Sequence, residues 1–348
     1  MSGLEAAWYS NKRWVWLLLP LTVLFWLVSN LRRGLFKLGV KKQITANVPV
    51  IVVGNITVGG TGKTPFVIYL VKLLQRLGYT PAIVSRGYGA NTKIGPSFPR
   101  LVNAISDPSL TGDEPNLLAL RTGVPVVIDS DRTKAVKYAS QISGVNIVIS
   151  DDGLQHYKMA RDIEVVLVDG ARYFGNGYLL PMGPLREPIS RLESVDFTVV
   201  NSGFLSKSKS KSKSSLQSDE NKFIDYQLGA TSLIKLKGKT VSLLKDETRN
   251  VHLISGIGNP ERFKKTAQKS GLKVVSEHWF PDHHNFTEAD FKSIKLQDND
   301  IIVMTEKDAV KCMKFAQANW YALPVDAVIS DSLERNLTDQ IKKLKITE

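Results

Sequence analysis

The chain has 348 residues, 43% apolar and 23% charged. That is long for a single domain and too rich in apolar residues for a disordered chain. Its 46 Lys and Arg against 33 Asp and Glu leave a net charge of +13, an excess that fits a polyanionic partner. Residues 1–42 carry +6 of it and the SKSKSKSKSS tract at 206–215 carries +4. No folded segment interleaves cations with stacking aromatics, so a nucleic-acid partner is excluded. Cys312 is the only cysteine, which rules out an intrachain disulfide and fits a reducing compartment.

In chain order, the first element is the apolar run WVWLLLPLTVLFWLV at 14–28, broken only by Pro20 and Thr22. Its 15 residues fall short of the roughly 20 a spanning helix needs. Basic residues flank it on both sides, and no small-residue cleavage site follows it. Trp8, Trp14, Trp16 and Trp26 lie in or beside it, as at a membrane interface. An interfacial or re-entrant helix on anionic headgroups fits best. A short span and a buried core helix are the other readings. Residues 1–45 are therefore expected to be a membrane-associated helix with a basic flank.

The body follows a βαβ rhythm. VPVIVV (48–53) is a buried strand, followed by a glycine-rich loop and a helix over 64–77. AIVS (82–85), VPVVID (124–129), VNIVIS (145–150), IEVVLVD (163–169) and VDFTVV (195–200) are further strands, with a helix over 132–142 among them. This predicts an α/β fold, a P-loop NTPase-like parallel sheet covered on both faces, over 46–203. The Lys/Ser tract predicts a flexible insert over 204–222. A smaller α/β domain over 223–348 starts with a ribbon at 223–246. HLISGIG (252–258), a helix capped by Asn259, KVVSEHWF (273–280), a capping box at Thr287 and Asp290, and IIVM (301–304) continue it. YALPVDAVI (321–329) is expected to close its sheet.

The loop GNITVGGTGKTP (54–65) is the strongest chemical signal. It departs from G-x-x-x-x-G-K-[ST] at Thr57. Gly59, Gly60 and Gly62 still let backbone N–H groups converge on phosphate oxygens. Val58, Thr61 and Pro65 complete the cradle, Lys63 reaches the β- and γ-phosphates, and the Thr64 hydroxyl ligates Mg2+. Strand 145–150 runs into Asp151-Asp152, where a nucleotide enzyme needs metal or water contacts. Asp169 occupies a similar setting and is read as a turn cap. Asp113-Glu114, before Pro115, reads from spacing as a helix cap with first-turn acid. PDHHNF (281–286) places His283 and His284 in a loop whose carboxylate partner is not readable locally.

Taken together, the motifs resemble the lipid A 4'-kinases (tetraacyldisaccharide 4'-kinases) of the Gram-negative inner membrane. VGGTGKTP (58–65), SRGYG (85–89), GDEP (112–115), DDGLQH (151–156), LLPMGPLREP (179–188), PDHHNF (281–286) and TEKDAVK (305–311) carry the likeness. It spans nearly the whole chain, and the Lys/Ser tract falls outside it. The resemblance implies phosphorylation by ATP of the 4'-hydroxyl of a tetraacyldisaccharide 1-phosphate. It implies ATP and Mg2+ as cofactors, an acylated disaccharide lipid substrate, an anionic membrane surface at the cytoplasmic face, and no obligate protein partner. It makes Asp113 the base with His283 as its partner, which reverses the cap reading, and gives Mg2+ to Thr64, Glu114, Asp151 and Asp152. Arg86, Tyr88, Gln155 and Arg186 become substrate contacts. The competing class is a membrane-peripheral P-loop ATPase or switch that drives a protein partner. That class needs no Asp-His pair.

Overall fold

The computed structural model describes residues 3–10, 12–204, 223–238, 240–244 and 248–344. Apart from its first residue, the expected insert at 204–222 lies outside the described residues. The strands are β1 (Val50–Gly54), β2 (Pro81–Ser85), β3 (Arg100–Val102), β4 (Val126–Ile128), β5 (Ile147–Asp151), β6 (Ile163–Asp169), β7 (Phe197–Phe204) and β8 (Phe223–Gly229). They continue with β9 (Ser232–Lys235), β10 (Val241–Leu243), β11 (Asn250–Ser255), β12 (Lys273–Trp279), β13 (Ile301–Thr305), β14 (Trp320–Leu323) and β15 (Asp326–Ile329).

They form two sheets among the described residues. The first has the order β15-β8-β7-β6-β1-β5-β2-β4-β3, parallel except for its edge strands β3 and β15. β1 sits in the middle, with Val50 beside Val148 and Ile51 beside Ile163. All its residues are buried, as a strand covered on both faces requires. Ile51 and Val53 face the helices Lys63–Arg76 and Asp113–Thr122, with Phe66, Leu70 and Leu118. Val50 and Val52 face the helix Arg132–Ala139 and the segment around Leu185 and Leu192. The second sheet, β10-β9-β14-β13-β11-β12, packs the helix Pro260–Lys269 on one face through Phe263 and Ala267. The helix Glu306–Cys312 covers the other face through Ala309 and Cys312.

YALPVDAVI does not close the second sheet as one strand. It divides at Pro324: β14 stays parallel to β13, while β15 pairs antiparallel with β8 in the first sheet. Proline lacks the N–H that a continuous ladder needs. The next amide, Val325, donates to Glu306 Oε2 at 3.2 Å instead. Arg121 ties the turn down, reaching Asp326 Oδ1 at 2.5 Å and also pairing with Glu306. The chain therefore crosses between the sheets after β8 and again after β14. The C-terminal helix Asp331–Lys342 follows β15 back and buries Leu333, Leu337 and Ile341 in the core beneath Phe66 and Leu70.

At the other end, a helix Gly3–Tyr9 precedes a 3-10 turn Arg13–Leu18 and a helix Leu19–Lys37. The apolar run is thus the centre of a 25-residue helical stretch, 13–37, within which an 18-residue window has a mean hydropathy of 1.8 and is only 11% buried. The core-helix reading fails: Leu17 is 82%, Leu31 66% and Trp16 52% exposed. One side is docked, because Met182 N–H donates to Thr22 Oγ1 at 3.1 Å and Trp16 meets Tyr178 edge-on.

Leu337→Ala should cost about 3 kcal/mol, because it opens a cavity in the first core and not in a peripheral one. Urea unfolding measures it. An unchanged midpoint would detach the C-terminal helix from the nucleotide-binding core.

Candidate active site

β1 delivers the chain into the loop 55–62, and Gly62 (φ +89°) starts the helix Lys63–Arg76. A phosphate cradle needs its N–H groups turned inward, so its carbonyls must be satisfied from outside. Five carbonyls are: Asn55 Nδ2 donates to Thr57 O (2.8 Å) and Gly59 O (3.3 Å), Arg172 to Gly60 O (2.9 Å), Asn201 to Thr61 O (3.1 Å), and Tyr226 Oη to Gly62 O (2.9 Å). Val58 N–H is taken by Pro184 O at 2.8 Å, so Val58 shapes the loop and offers no donor. Pro65 has no N–H and lies in the first helical turn with Thr64. Lys63 Nζ donates to Asn55 Oδ1 at 3.2 Å and pairs with Asp152 Oδ1 at 3.2 Å.

β5 lies beside β1, which is why Asp151 and Asp152 arrive next to the loop. Asp151 is buried, and Ser85 Oγ donates to its carboxylate at 3.5 Å. Burial, and then the charges of Glu114 and Asp152, push its carboxyl up to about 7. Asp152, in a left-handed turn (φ +51°), is also desolvated. Lys63 and Arg186, the latter at 3.4 Å, outweigh that and hold it below the usual carboxylate range. Glu114 is likewise desolvated yet lowered, chiefly by its ion pair with Lys307. Asp169 accepts from Ala171 N–H at 3.0 Å, so it does cap a turn, and it also holds Arg172 and Arg262.

Asp113 is not a cap. Gly112 occupies that position with φ +86°, where a Cβ would lie 2.4 Å from Tyr88 O. The Asp113 carboxylate points away from its own helix to elements of the second sheet, 3.3 Å from His283 Nδ1 in the loop after β12 and 3.0 Å from Lys311 Nζ on the helix Glu306–Cys312. Burial raises its carboxyl, but the His283 hydrogen bond and the Lys311 charge bring it below the ordinary value. His283 is raised, first by the same hydrogen bond. It stands in the left-handed region (φ +60°) with its N–H on Gly256 O at 3.0 Å, and the Tyr88 ring lies 5.1 Å away, tilted by 51°. His284 instead lies 3.2 Å from Asp290, in the capping box.

The other expected residues divide. Arg186 joins the cluster through Asp152, and Tyr88 joins it through His283. Arg86 is exposed and makes no ion pair among the described residues. Gln155 turns inward, donating to Asn55 O at 3.1 Å and Glu187 Oε1 at 2.7 Å, so it braces the loop. Sequence reasoning missed Lys307 and Lys311, although TEKDAVK was visible as a motif. Two lysines four apart on a helix face acids more than 190 residues away along the chain, and no local spacing signals that. Asn55 was missed too, although it sits inside the loop.

A family model described as tetraacyldisaccharide-1-P 4'-kinase matches residues 14–342. A tetraacyldisaccharide 4'-kinase of Shewanella amazonensis is 42% identical over 98% of this chain and 96% of its own length. One of Shewanella woodyi is 45% identical over 94% and 90%, and one of Actinobacillus succinogenes 43% over 97% and 98%. Among solved structures, LpxK of Aquifex aeolicus in complex with ATP is similar, with a TM-score of 0.76 and 28% identity, covering 94% of this chain and 99% of that one.

Gly62→Ala places a Cβ 2.2 Å from Tyr226 Oη and 2.5 Å from Asn201 Nδ2, at a φ that disfavours it. Nucleotide affinity, read by titration calorimetry, should fall at least about tenfold as the loop's carbonyl ties break. Unchanged affinity would show that these ties do not set the cradle.

Proposed function

The chain belongs to the tetraacyldisaccharide 4'-kinase family, and from that premise we propose how its residues divide the reaction. It is an ATP-dependent phosphotransferase that moves the γ-phosphoryl group of ATP onto the 4'-hydroxyl of tetraacyldisaccharide 1-phosphate. ADP and the 1,4'-bisphosphate leave. The alternative, an ATPase switch working on a protein partner, gains no support from the family.

The N–H groups of the loop hold the β- and γ-phosphates, and Lys63 exchanges Asp152 for a phosphate oxygen. Mg2+ fits this site. Asp151 is a buried carboxylate whose ionisation is opposed by Glu114 and Asp152, a repulsion that a dication relieves. Among the described residues no three His, Cys, Asp or Glu side chains form a ready metal cage. A phosphate-bound Mg2+ does not need one, since it takes one or two carboxylates and keeps its other positions for phosphate and water. Thr64, Asp151 and Asp152 would hold it, with Glu114 joining once Lys307 releases it. When bound, it neutralises charge on the phosphate oxygens.

The meeting of Asp113 with His283 at 3.3 Å carries the acceptor side of this reading. The 4'-oxygen attacks the γ-phosphorus, the bond to the β–γ bridging oxygen breaks, and the hydroxyl proton passes to Asp113. His283 and Lys311 keep Asp113 ionised and aimed. The transition state is loose, so the base adds modestly to positioning and charge neutralisation. Arg186, and Arg86 with its exposed side chain, suit the substrate's phosphate, and Tyr88 packs beside His283. The nucleotide-binding unit comprises 46–203 with β8, β15 and the C-terminal helix, and the second sheet forms the smaller unit. The exposed apolar stretch 13–37, with Lys12, Arg13, Arg32, Arg33, Lys37, Lys41 and Lys42 around it, seats the protein on the anionic cytoplasmic face of the inner membrane. No obligate protein partner is required.

Asp113→Asn should lower kcat by about a hundredfold while ATP affinity stays within about twofold. The assay follows phosphorylation of the disaccharide 1-phosphate lipid in detergent. ATP consumption without a phosphorylated lipid would sink the kinase assignment, and an equal loss of affinity would return Asp113 to a structural role.

Metal dependence has a definite pH sign. The Asp151 carboxyl is raised from 3.8 to about 7 in the folded chain. The folded state then holds the extra proton, and stability falls as pH rises through that window. Mg2+ offsets the ionised form, so its stabilising shift in Tm should be larger at pH 8 than at pH 6. Asp151→Asn should remove the pH dependence of that shift. A shift independent of pH in the parent protein would take Asp151 out of the metal site.

A further inference from the structure

The N-terminal helix does more than face a lipid surface. The helix Gly3–Tyr9 is docked on the segment 170–186, where Trp8 is buried with its Nε1–H on Pro181 O at 2.9 Å. Ala7, Val15 and Met182 form a small core of their own. Gly175 is required there, since a Cβ would meet Pro184 at 2.9 Å and Tyr9 at 3.0 Å. That same segment touches the phosphate loop at two places. Pro184 O receives Val58 N–H, and the Arg172 guanidinium donates to Gly60 O at 2.9 Å.

Arg172 is the point where these contacts converge. Its Nε donates to buried Asp169 Oδ2 at 3.0 Å, and its planar face lies 5.6 Å from the centre of the Tyr9 ring. The same Asp169 oxygen also receives Arg262, from the helix Pro260–Lys269 of the second unit, at 3.4 Å. Gly59 leaves room for the guanidinium, because a Cβ would lie 3.3 Å from it. We infer that Arg172 is a positioning residue through which the N-terminal helix sets the phosphate loop for nucleotide. Tyr9 holds the guanidinium plane from one side and Asp169 from the other. The remaining donor edge then fixes the Gly60 peptide with its carbonyl outward, which turns the following N–H groups toward the phosphates. Removing the ring frees the guanidinium to swing, and the peptide loses its orientation. This rests on the loop being the ATP site.

ATP affinity of the full-length protein in detergent micelles, measured by titration calorimetry, tests it. Tyr9→Leu should weaken ATP about threefold, the worth of an exposed cation–ring contact. Arg172→Gln should weaken it about tenfold through the lost ties. Tyr9→Phe, which keeps the ring, should restore the affinity. The double variant Tyr9→Leu/Arg172→Gln should be no weaker than Arg172→Gln alone. KM for the lipid should stay constant throughout. Additive losses, or Tyr9→Leu with unchanged ATP affinity, would overturn the inference. Loss of ATP binding in every variant, Tyr9→Phe included, would overturn it as well by showing a general folding defect. An unaltered parent that binds no ATP would instead overturn the assignment of the loop.

Discussion

A phosphate cradle has to leave its own N–H groups without protein partners, and that one requirement organises much of this molecule. Backbone donors left open near the protein interior are costly. The loop tolerates them because its peptide planes are locked from behind. Asn55, Arg172, Asn201 and Tyr226 each hold a carbonyl of the loop. They come from β1's exit, the turn after β6, β7 and β8. Half of the first sheet therefore serves the orientation of a few peptide groups. Glycine at 62 is the corollary, since Tyr226 and Asn201 occupy the space a side chain would need.

Charge is the second constraint. Asp151, Asp152 and Glu114 share a desolvated region with Lys63. The four cannot all be charged and paired within it. Lys63 and Arg186 take Asp152, Lys307 takes Glu114, and Asp151 is left with a raised carboxyl. An added dication would relieve that imbalance, as the proposed function requires. Asp113 is compensated by His283, from the loop after β12, and by Lys311, from the helix Glu306–Cys312. Both acidic residues of the Asp113-Glu114 pair thus depend on cations supplied by the second unit. The two units assemble the acceptor side jointly.

Much of the architecture was legible in the chain. Short β-branched runs ending in Gly, Asp or Pro marked β1, β2, β4, β5, β6 and β7, because a doubly covered parallel strand has no other composition available. The loop was legible for the same kind of reason, as glycine spacing and a lysine at a helix start have few other uses. One expectation failed at a place where distant partners decide. YALPVDAVI looked continuous, but Pro324 and the Arg121–Glu306–Asp326 cluster divert it into the first sheet. The apolar run, read best as interfacial with a short span as the other membrane reading, lies within a longer helix. The helix extends through the polar residues after it, to Lys37.

The sequence by itself determined the local pattern: a glycine-rich loop with a lysine at a helix start, acids at strand ends, an apolar run flanked by cations, and a repeated strand–helix rhythm. Periodicity, glycine spacing and charge clustering are local, so they survive in one dimension. Tertiary structure alone decided which charges meet. Asp113 and Glu114 are separated from Lys307, Lys311 and His283 by most of the chain. Whether a carboxylate caps its own helix or accepts a proton depends on what burial brings opposite it. Arg172 makes the same point: nothing in its neighbours along the chain marks it, and its importance follows from the Tyr9 ring, Asp169 and Gly60 closing around it.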